Sequence, residues 1–444
     1  MLLEPPSVTV LGADPVHRRC VLNGAAFQQD AITSLNGWQY AVFYASLPPP
    51  AASEPLFIHL ARRELPHGDW EVLVLDDYPQ TVDDGHNTVQ LGICPGDGTI
   101  HLSYDHHCDI LRYRHSIPNL AARPSEFKWT PALFTLTLSY LPGLPPSHAP
   151  FSYVTYPRFI PTAQNLLLTL RDGKAGLGND HLYLYSPSTQ HFSYIGAHLT
   201  GLQSNPYIHG LTYHHASRRL HTTWVYRDFV CYPGWDDPQD TKHKQQAGPN
   251  GAENNHDICY AYSDDEGHTW KNGAGTTVAD MMKKGETIAN DAEGITAFAI
   301  PKGSGLMNQE AQAVDKDGGV HVLNRDTLDG THMWKHYYRS PGGPWTQRAL
   351  RPITPGSRRG RLAVTNNGAL YIILPDSTSA TMQILRATPA DDYATYEQVW
   401  EGHGVTGEPL VDSARLERED VLSLFACAAA GDGKRDVVVM DFRV

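Results

Sequence analysis

The chain has 444 residues, with 35 Lys+Arg against 48 Asp+Glu and a formal net charge of −13. That acidic balance excludes a general binder of nucleic acid or of anionic membrane, which needs a broad basic surface. Hydrophobic residues make up 41% and charged residues 19%, enough apolar content for a sizeable core and too little charge for a disordered chain.

The first residues, MLLEPPSVTV, lack the basic flank and long apolar stretch of a secretory signal, so the expectation is a cytosolic protein or one whose leader has been removed. No run approaches the ~18 apolar residues of a membrane span. Cys20, Cys94, Cys108, Cys231, Cys259 and Cys427 form no CxxC pair, and the expected state is reduced thiols rather than a disulfide framework or a zinc ribbon.

In chain order, the predicted elements are short and β-like, punctuated by 38 Gly and 32 Pro. A turn followed by an alternating apolar and polar run recurs as NGWQYAVFYA from Asn36, DGTIHLSYDH from Asp97, QNLLLTLRDG from Gln164, RRLHTTWVYRD from Arg218, DGGVHVLNRD from Asp317, NGALYIILPD from Asn367 and EDVLSLFACA from Glu419. Each follows another strand-like stretch, so the repeating unit is a β-hairpin and there are seven of them. Seven hairpins of this kind predict an all-β, seven-bladed β-propeller, one domain over residues 1–444. SDDEGHTW from Ser263 matches the Asp-box turn between outer propeller strands. The strand SVTVLG near the start and DVVVMDFRV at the end are expected to share a blade and close the ring. Short helical periods are expected only near Asp280 to Lys284 and Asp391 to Gln398.

Propeller geometry directs polar residues at inner-strand ends toward the mouths of the axial channel. In the second hairpin, His86 precedes one strand, and His106 and His107 end the next. Pairing about the PGDG turn brings His86 and His106 to one end. The third hairpin puts Tyr156 before its first strand and Arg171 at the end of its second. The Arg fork, two imidazoles and a phenol suit a carboxylate ligand. Neutralising a carboxylate eases removal of the proton on the adjacent carbon, and a tyrosine beside a cation can exchange that proton. His107, Tyr213, Asn255, Asn308, Arg325 and His332 also fall at strand ends or loops within reach of a sugar. GxSxG, Walker and HExxH motifs are absent, which argues against serine hydrolysis, phosphoryl transfer and zincin chemistry.

A second histidine-rich group offers His209, His214, His215 and His221 in one hairpin, with His256 and Cys259 beyond it. The expected structural metal site is His221, His256 and Cys259 with His209 or His214, for zinc or calcium, and the proton chemistry outlined above requires no metal.

Five motifs carry a resemblance to a known family: DGHNTVQLGI from Asp84, DGTIHLSYDHH from Asp97, VTYPRF from Val154, LRDGKAGLGN from Leu170 and NNHDICYAYSDDEGHTW from Asn254. With them the chain resembles the propeller polysaccharide lyases with BNR-type repeats. In the polar quartet it is similar to the ulvan lyases. Over more of its length, including NGWQYAVFYA and LARRELPHGDW, it is closer to the fungal L-rhamnose-α-1,4-D-glucuronate lyases that trim gum arabic side chains. The resemblance implies an active site of His86, His106, Tyr156 and Arg171 at the anterior mouth. Related rhamnosidases place a histidine in a posterior pocket near the position of Phe27 to Gln29, where this chain has FQQ, which disfavours hydrolysis.

The expected reaction is β-elimination at a D-glucuronate carrying L-rhamnose on O4. Arg171 neutralises the C5 carboxylate and Tyr156 serves as base and then acid. His86 and His106 hold the carboxylate or share the proton transfers. The expected partner is a rhamnosyl-glucuronate-capped glycan such as an arabinogalactan or gum arabic side chain, with no nucleic acid and no membrane. The alternatives are an α-L-rhamnosidase, an ulvan lyase and a non-catalytic sugar-binding propeller. At ~0.15 M salt the Debye length is about 8 Å, so a recessed cationic site is screened from the acidic surface. That favours a short substrate with one uronate.

Overall fold

Alternation of the seven recurring segments places each as the second strand of a small antiparallel sheet, and each is preceded by its hairpin partner. The computed structural model describes residues 2–28, 30–47, 55–175, 177–235, 249–327 and 330–444. Blade one comprises Ile32–Leu35, Trp38–Ala45, Leu56–Glu64 and Glu71–Gln80. Blade two has Val89–Ile93, Ile100–Tyr104 and Tyr113–His115. Blade three has Val154–Pro161, Leu166–Asp172, Asp180–Ser186 and His191–Leu199. Blade four is built on Ser204–His214, Arg219–Asp228 and Asn255–Ser263, with short outer strands beyond. Blade five has Ala311–Val314, Val320–Asp326, Met333–Arg339 and Trp345–Pro352. Blade six has Arg361–Val364, Leu370–Asp376, Thr381–Ala387 and Glu397–His403.

Blade seven joins both ends of the described chain. Val405–Val411, Val421–Gly431 and Lys434–Arg443 are completed on the outside by Ser7–Ala13, in the order first, second, third and N-terminal strand. Ser7 pairs with Asp441 and Ala13 with Asp436 across that seam. The first strands of successive blades touch all the way round, including blade seven against blade one. The expected seven-bladed β-propeller and its shared closing blade are therefore what the chain forms. Closure removes the inner edges that an open sheet would expose.

Because each blade is covered on both faces by its neighbours, its second strand is buried on both faces. Tyr40, Ala41, Val42, Phe43 and Tyr44 are all fully buried, as are Leu166, Leu167, Leu168 and Leu170. The core is accordingly a set of apolar seams between blades. Near the axis the inner strands crowd: a Cβ at Gly92 would collide with Phe159 on the next blade. Ser263 and Asp265 organise the Asp-box turn. The Ser263 hydroxyl donates to Asp265 (2.7 Å), whose carboxylate accepts from the Thr269 amide (2.8 Å), and Trp270 is driven into the core.

The two expected helical segments are not helices. Asp280 ends the strand Thr277–Asp280 and is followed by a turn, and Asp391 closes a single 3-10 turn before Glu397–His403. Among the described residues the one α-helix is Ser413–Glu419, N-capped by Asp412, whose carboxylate accepts from the Arg415 amide at 3.0 Å. It joins the first two strands of blade seven and packs on the inner strands of blades one and six.

Candidate active site

The end of the channel where first strands begin and second strands finish gathers the polar side chains. In blade two, Asp84 precedes the first strand in the turn leading to Val89. Its two carboxylate oxygens accept from two imidazoles, Nδ1 of His86 at 2.6 Å and Nδ1 of His107 at 2.6 Å. The two rings stack with centroids 3.9 Å apart and planes 18° apart. Phe27, arriving from the segment before blade one, covers the other face of His86 at 4.7 Å. His86 is thus held between two rings, with its side chain 29% exposed.

Blade three supplies the phenol and the guanidinium. Tyr156 sits where the strand register shifts between Thr155 and Arg158, with φ of +56°. A bulky residue at such a φ is strained, and a bulge re-aims the side chain it carries. The Tyr156 ring lies 5.2 Å from Phe27 and 5.6 Å from His86. Arg171, opposite Thr155, places its guanidinium 4.7 Å from the Tyr156 ring centre and 5.5 Å from that of Tyr207. Nε and Nη1 of Arg171 are buried and find no hydrogen-bond acceptor among the described residues. The loop after Arg171 folds tightly against its alkyl chain, and Gly178 permits this because a Cβ there would strike the Asp172 carbonyl and the Arg171 stem.

Blade four repeats the pattern. Tyr207 follows the strand start, and Arg227, at the end of the second strand and opposite Asn205, lies 4.5 Å over its ring. Arg359, leading into blade six, reaches back to lie 4.9 Å over Phe27. Arg171 and Arg227 thus lie over the two phenols, and Arg359, which also pairs with Glu408 at 3.5 Å, lies over Phe27, a cationic mouth on a protein of net charge −13.

The electrostatics differ from residue to residue. Burial opposes the charge on Asp84, but the hydrogen bonds from His107 and His86 prevail and hold its carboxyl well below the usual carboxylate range. Burial, aided by neighbouring His86, lowers His107 to about 4. Burial raises the Tyr156 phenol above its ordinary value despite the Arg171 charge, so it is protonated at neutral pH. For Tyr207 burial also pushes upward, yet Arg227 and Arg171 outweigh it and leave this phenol below its ordinary value.

Of the expected quartet, the structure brings together His86, Tyr156 and Arg171, and the imidazole that joins them is His107. His106 is buried beside Arg112 and its Nε2 accepts from the Arg112 amide at 2.8 Å. The hairpin pairing places the strand ends correctly but not which of the two adjacent imidazoles turns inward. Burial and then Arg112 lower His106 well below the ordinary histidine value.

The remaining expected sugar contacts are dispersed. Tyr213 pairs with Leu220 near the opposite end of blade four, where it lines the channel beside His215, so it does not join the cluster. Asn255 accepts from Arg227 Nε at 2.7 Å, one step behind Tyr207. Asn308 accepts twice from Arg359, at 2.9 and 3.1 Å. Arg325 is buried in an ion pair with Glu310, and His332 packs against Gly305. Phe27, expected at the opposite mouth, lies in the cluster; Gln28 is buried and turned into its own loop, accepting from the Gly24 amide at 2.9 Å. Gln29 lies outside the described residues.

The expected structural metal quartet is not assembled. His221 Nδ1 meets the Tyr260 hydroxyl at 2.9 Å, His256 lies between Asp228 and Asp257, His209 Nδ1 accepts from the Glu310 amide at 3.1 Å, and His214 meets Ser217 and the Lys316 carbonyl. Cys259 is a buried thiol facing Trp224 across the strands, its pKa pushed up by burial. Among the described residues, the one group of three candidate ligand side chains drawn together is Asp84, His86 and His107.

Sequence reasoning missed Phe27, Asp84, Tyr207, Arg227 and Arg359. Tyr207 and Arg227 were findable, since they repeat in the fourth hairpin the strand-end positions of Tyr156 and Arg171. Asp84 lies two residues before His86, the spacing of an Asx turn, and its carboxylate does accept the His86 amide at 2.9 Å.

A family model described as BNR repeat-containing family member matches residues 38–352. An ulvan lyase, long isoform, from Glaciecola sp. (strain KUL10) is 24% identical over 307 residues, covering 59% of this chain and 28% of that protein. The chain thus spans less than a third of that relative's length. The crystal structure of the polysaccharide lyase Uly1 superposes with a TM-score of 0.72 at 17% identity, covering 100% of this chain and 99% of that one. A PL25 ulvan lyase bound to -[GlcA(1-4)Rha3S]- superposes with a TM-score of 0.63 at 13% identity, covering 98% of this chain and 96% of that one. At these identities the structural likenesses establish the fold.

Proposed function

From the premise that this chain belongs to the BNR repeat-containing family, we propose that it is a polysaccharide lyase, acting as one unit over residues 1–444, that removes terminal L-rhamnose from O4 of D-glucuronate by β-elimination. The observation that carries the reading is the buried Arg171 guanidinium, stacked over Tyr156, with Nε and Nη1 finding no acceptor among the described residues, beside two imidazoles. A uronate carboxylate is an anion of the kind a guanidinium binds.

In the reaction, Arg171 binds the C5 carboxylate and stabilises the charge that develops on it as the C5 proton leaves. An imidazole of the cluster takes that proton. The C5–H electrons form the C4–C5 double bond and the C4–O4 bond breaks. O4 receives a proton and departs as the anomeric hydroxyl of rhamnose. Tyr156, buried and protonated, suits the proton donor to O4 better than the dual role expected of it from sequence. Side chains supply every proton transfer in this scheme.

An ulvan lyase is the second reading. The Glaciecola relative bears that name, and the ligand in the PL25 structure also joins glucuronate to a rhamnose unit. Incubating the protein separately with rhamnosyl-glucuronate and with ulvan oligosaccharide, while recording ultraviolet absorbance of an unsaturated uronate, tests both. Unsaturated product from the first alone is expected. Rhamnose release without that absorbance means hydrolysis and overturns the lyase, and product from ulvan alone transfers the assignment to the second reading.

A further inference from the structure

We infer that Asp84 is a positioning residue that fixes both imidazoles of the cluster in one tautomer and thereby makes Nε2 of His86 the proton acceptor of the site. The inference rests on the lyase reading for its catalytic consequence, while the tautomer itself is a property of the protein alone.

An ionised carboxylate offers only acceptors. Since one Asp84 oxygen lies 2.6 Å from His86 Nδ1 and the other 2.6 Å from His107 Nδ1, each Nδ1 must carry the hydrogen. In a neutral imidazole the lone pair then resides on Nε2, on the side of the ring away from Asp84. The carboxylate is kept ionised by the same two bonds. It is also tied to the backbone, through the His86 amide at 2.9 Å, so its orientation is set by the turn and not by a free rotor.

Of the two rings, His86 is the one placed to meet a ligand. Its side chain is 29% exposed against 9% for His107. It is sandwiched between Phe27 and His107, and Tyr156 stands 5.6 Å away. The groups facing it are thus Asp84, His107, Phe27 and Tyr156. Those bearing on His107 are Asp84, His86 and the Arg171 charge. Burial first, then neighbouring His86 and the Arg171 charge, keep His107 neutral, so its stacked ring braces His86 without adding a positive charge beside it.

The experiment compares wild type with Asp84→Asn and Asp84→Glu, using nitrogen-15 chemical shifts of the histidine rings and the pH profile of turnover. An Asn side chain has one acceptor and one donor face, so it cannot accept from both Nδ1–H groups, and one ring must change tautomer. The wild type is expected to show hydrogen on Nδ1 of both rings. Asp84→Asn is expected to move one ring to the Nε2–H form and to lower kcat by ~10²-fold or more, with KM little changed and the acid limb of the profile displaced. Asp84→Glu, which keeps two acceptors, should restore the Nδ1–H pattern and part of the activity. Unchanged tautomers and turnover in Asp84→Asn would overturn the inference. A wild type that makes no unsaturated product but shows the expected tautomer change in Asp84→Asn would remove the lyase reading and leave the positioning role of Asp84 standing.

Discussion

Arg171 lies with its guanidinium carbon 4.7 Å from the centre of the Tyr156 ring, two side chains delivered by paired strands of blade three to one end of the channel. The contact has two parts that substitution can separate. Tyr156→Phe keeps the ring face beneath the cation and removes only the hydroxyl. If the phenol donates the proton to O4, turnover should fall by ~10² or more, while the melting temperature stays close to that of the wild type. Measuring both on the same preparation decides the matter, and turnover within a few-fold of wild type would take Tyr156 out of the proton path.

His106 and His107 give opposite expectations. His107→Ala removes the ring that braces His86 and shares Asp84, and should depress turnover strongly. His106→Ala removes the acceptor for the half-buried Arg112 amide, which costs about 1 kcal/mol of stability, with the residual activity of the folded fraction preserved. Denaturant unfolding alongside the product assay separates the two. The reverse pattern would return the catalytic role to His106.

That exchange of neighbours shows where a sequence stops being legible. The seven second strands were readable because their alternation persists through regular β backbone. Alternation fails at the strand ends that form the site. Asp105 has φ of +63° and Cys108 of +57°, so the chain turns twice around His106 and His107 and period-two counting no longer tells which ring faces inward. Tyr156 is re-aimed by its own positive φ at a bulge, yet its place at a strand end was visible. Tyr213 was misplaced for a different reason: Ser204–His214 is an 11-residue strand, and the residue lies at its far end. Asp84 and Phe27 act through contacts between turns of different blades, which no local pattern encodes.

The seam between the chain ends gives a third expectation. Ser7–Ala13 is the outer strand of blade seven, and its Thr9 hydroxyl receives hydrogen bonds from Trp70 Nε1 at 3.0 Å and Arg63 Nη1 at 3.3 Å on blade one. Deleting residues 1–13 would bare the edge of Lys434–Arg443 and remove those ties. The truncated chain should melt at lower temperature and form larger species by size-exclusion chromatography, because an unpaired strand edge recruits other chains. A monomer with unchanged melting temperature would show that the third strand alone closes the blade.

Acid sensitivity follows from the buried histidines. Burial lowers His198, His209 and His221 to about 3, and His107 to about 4. Each is neutral in the fold but takes a proton in the unfolded chain below its ordinary value near 6.5, so each withdraws stability as the pH falls, by ~1.4 kcal/mol per pH unit. Asp30 and Asp180 act in the other direction, since burial raises both to about 6 and the folded chain binds their protons first. Of these groups four imidazoles oppose two carboxylates, so the balance favours loss. Stability should be nearly level above pH ~6.5 and fall between there and ~3, read as a melting temperature that declines across that window. A melting temperature as high at the acid end of the window as at neutrality would mean that these rings accept protons without leaving the fold, and that the channel admits water to them.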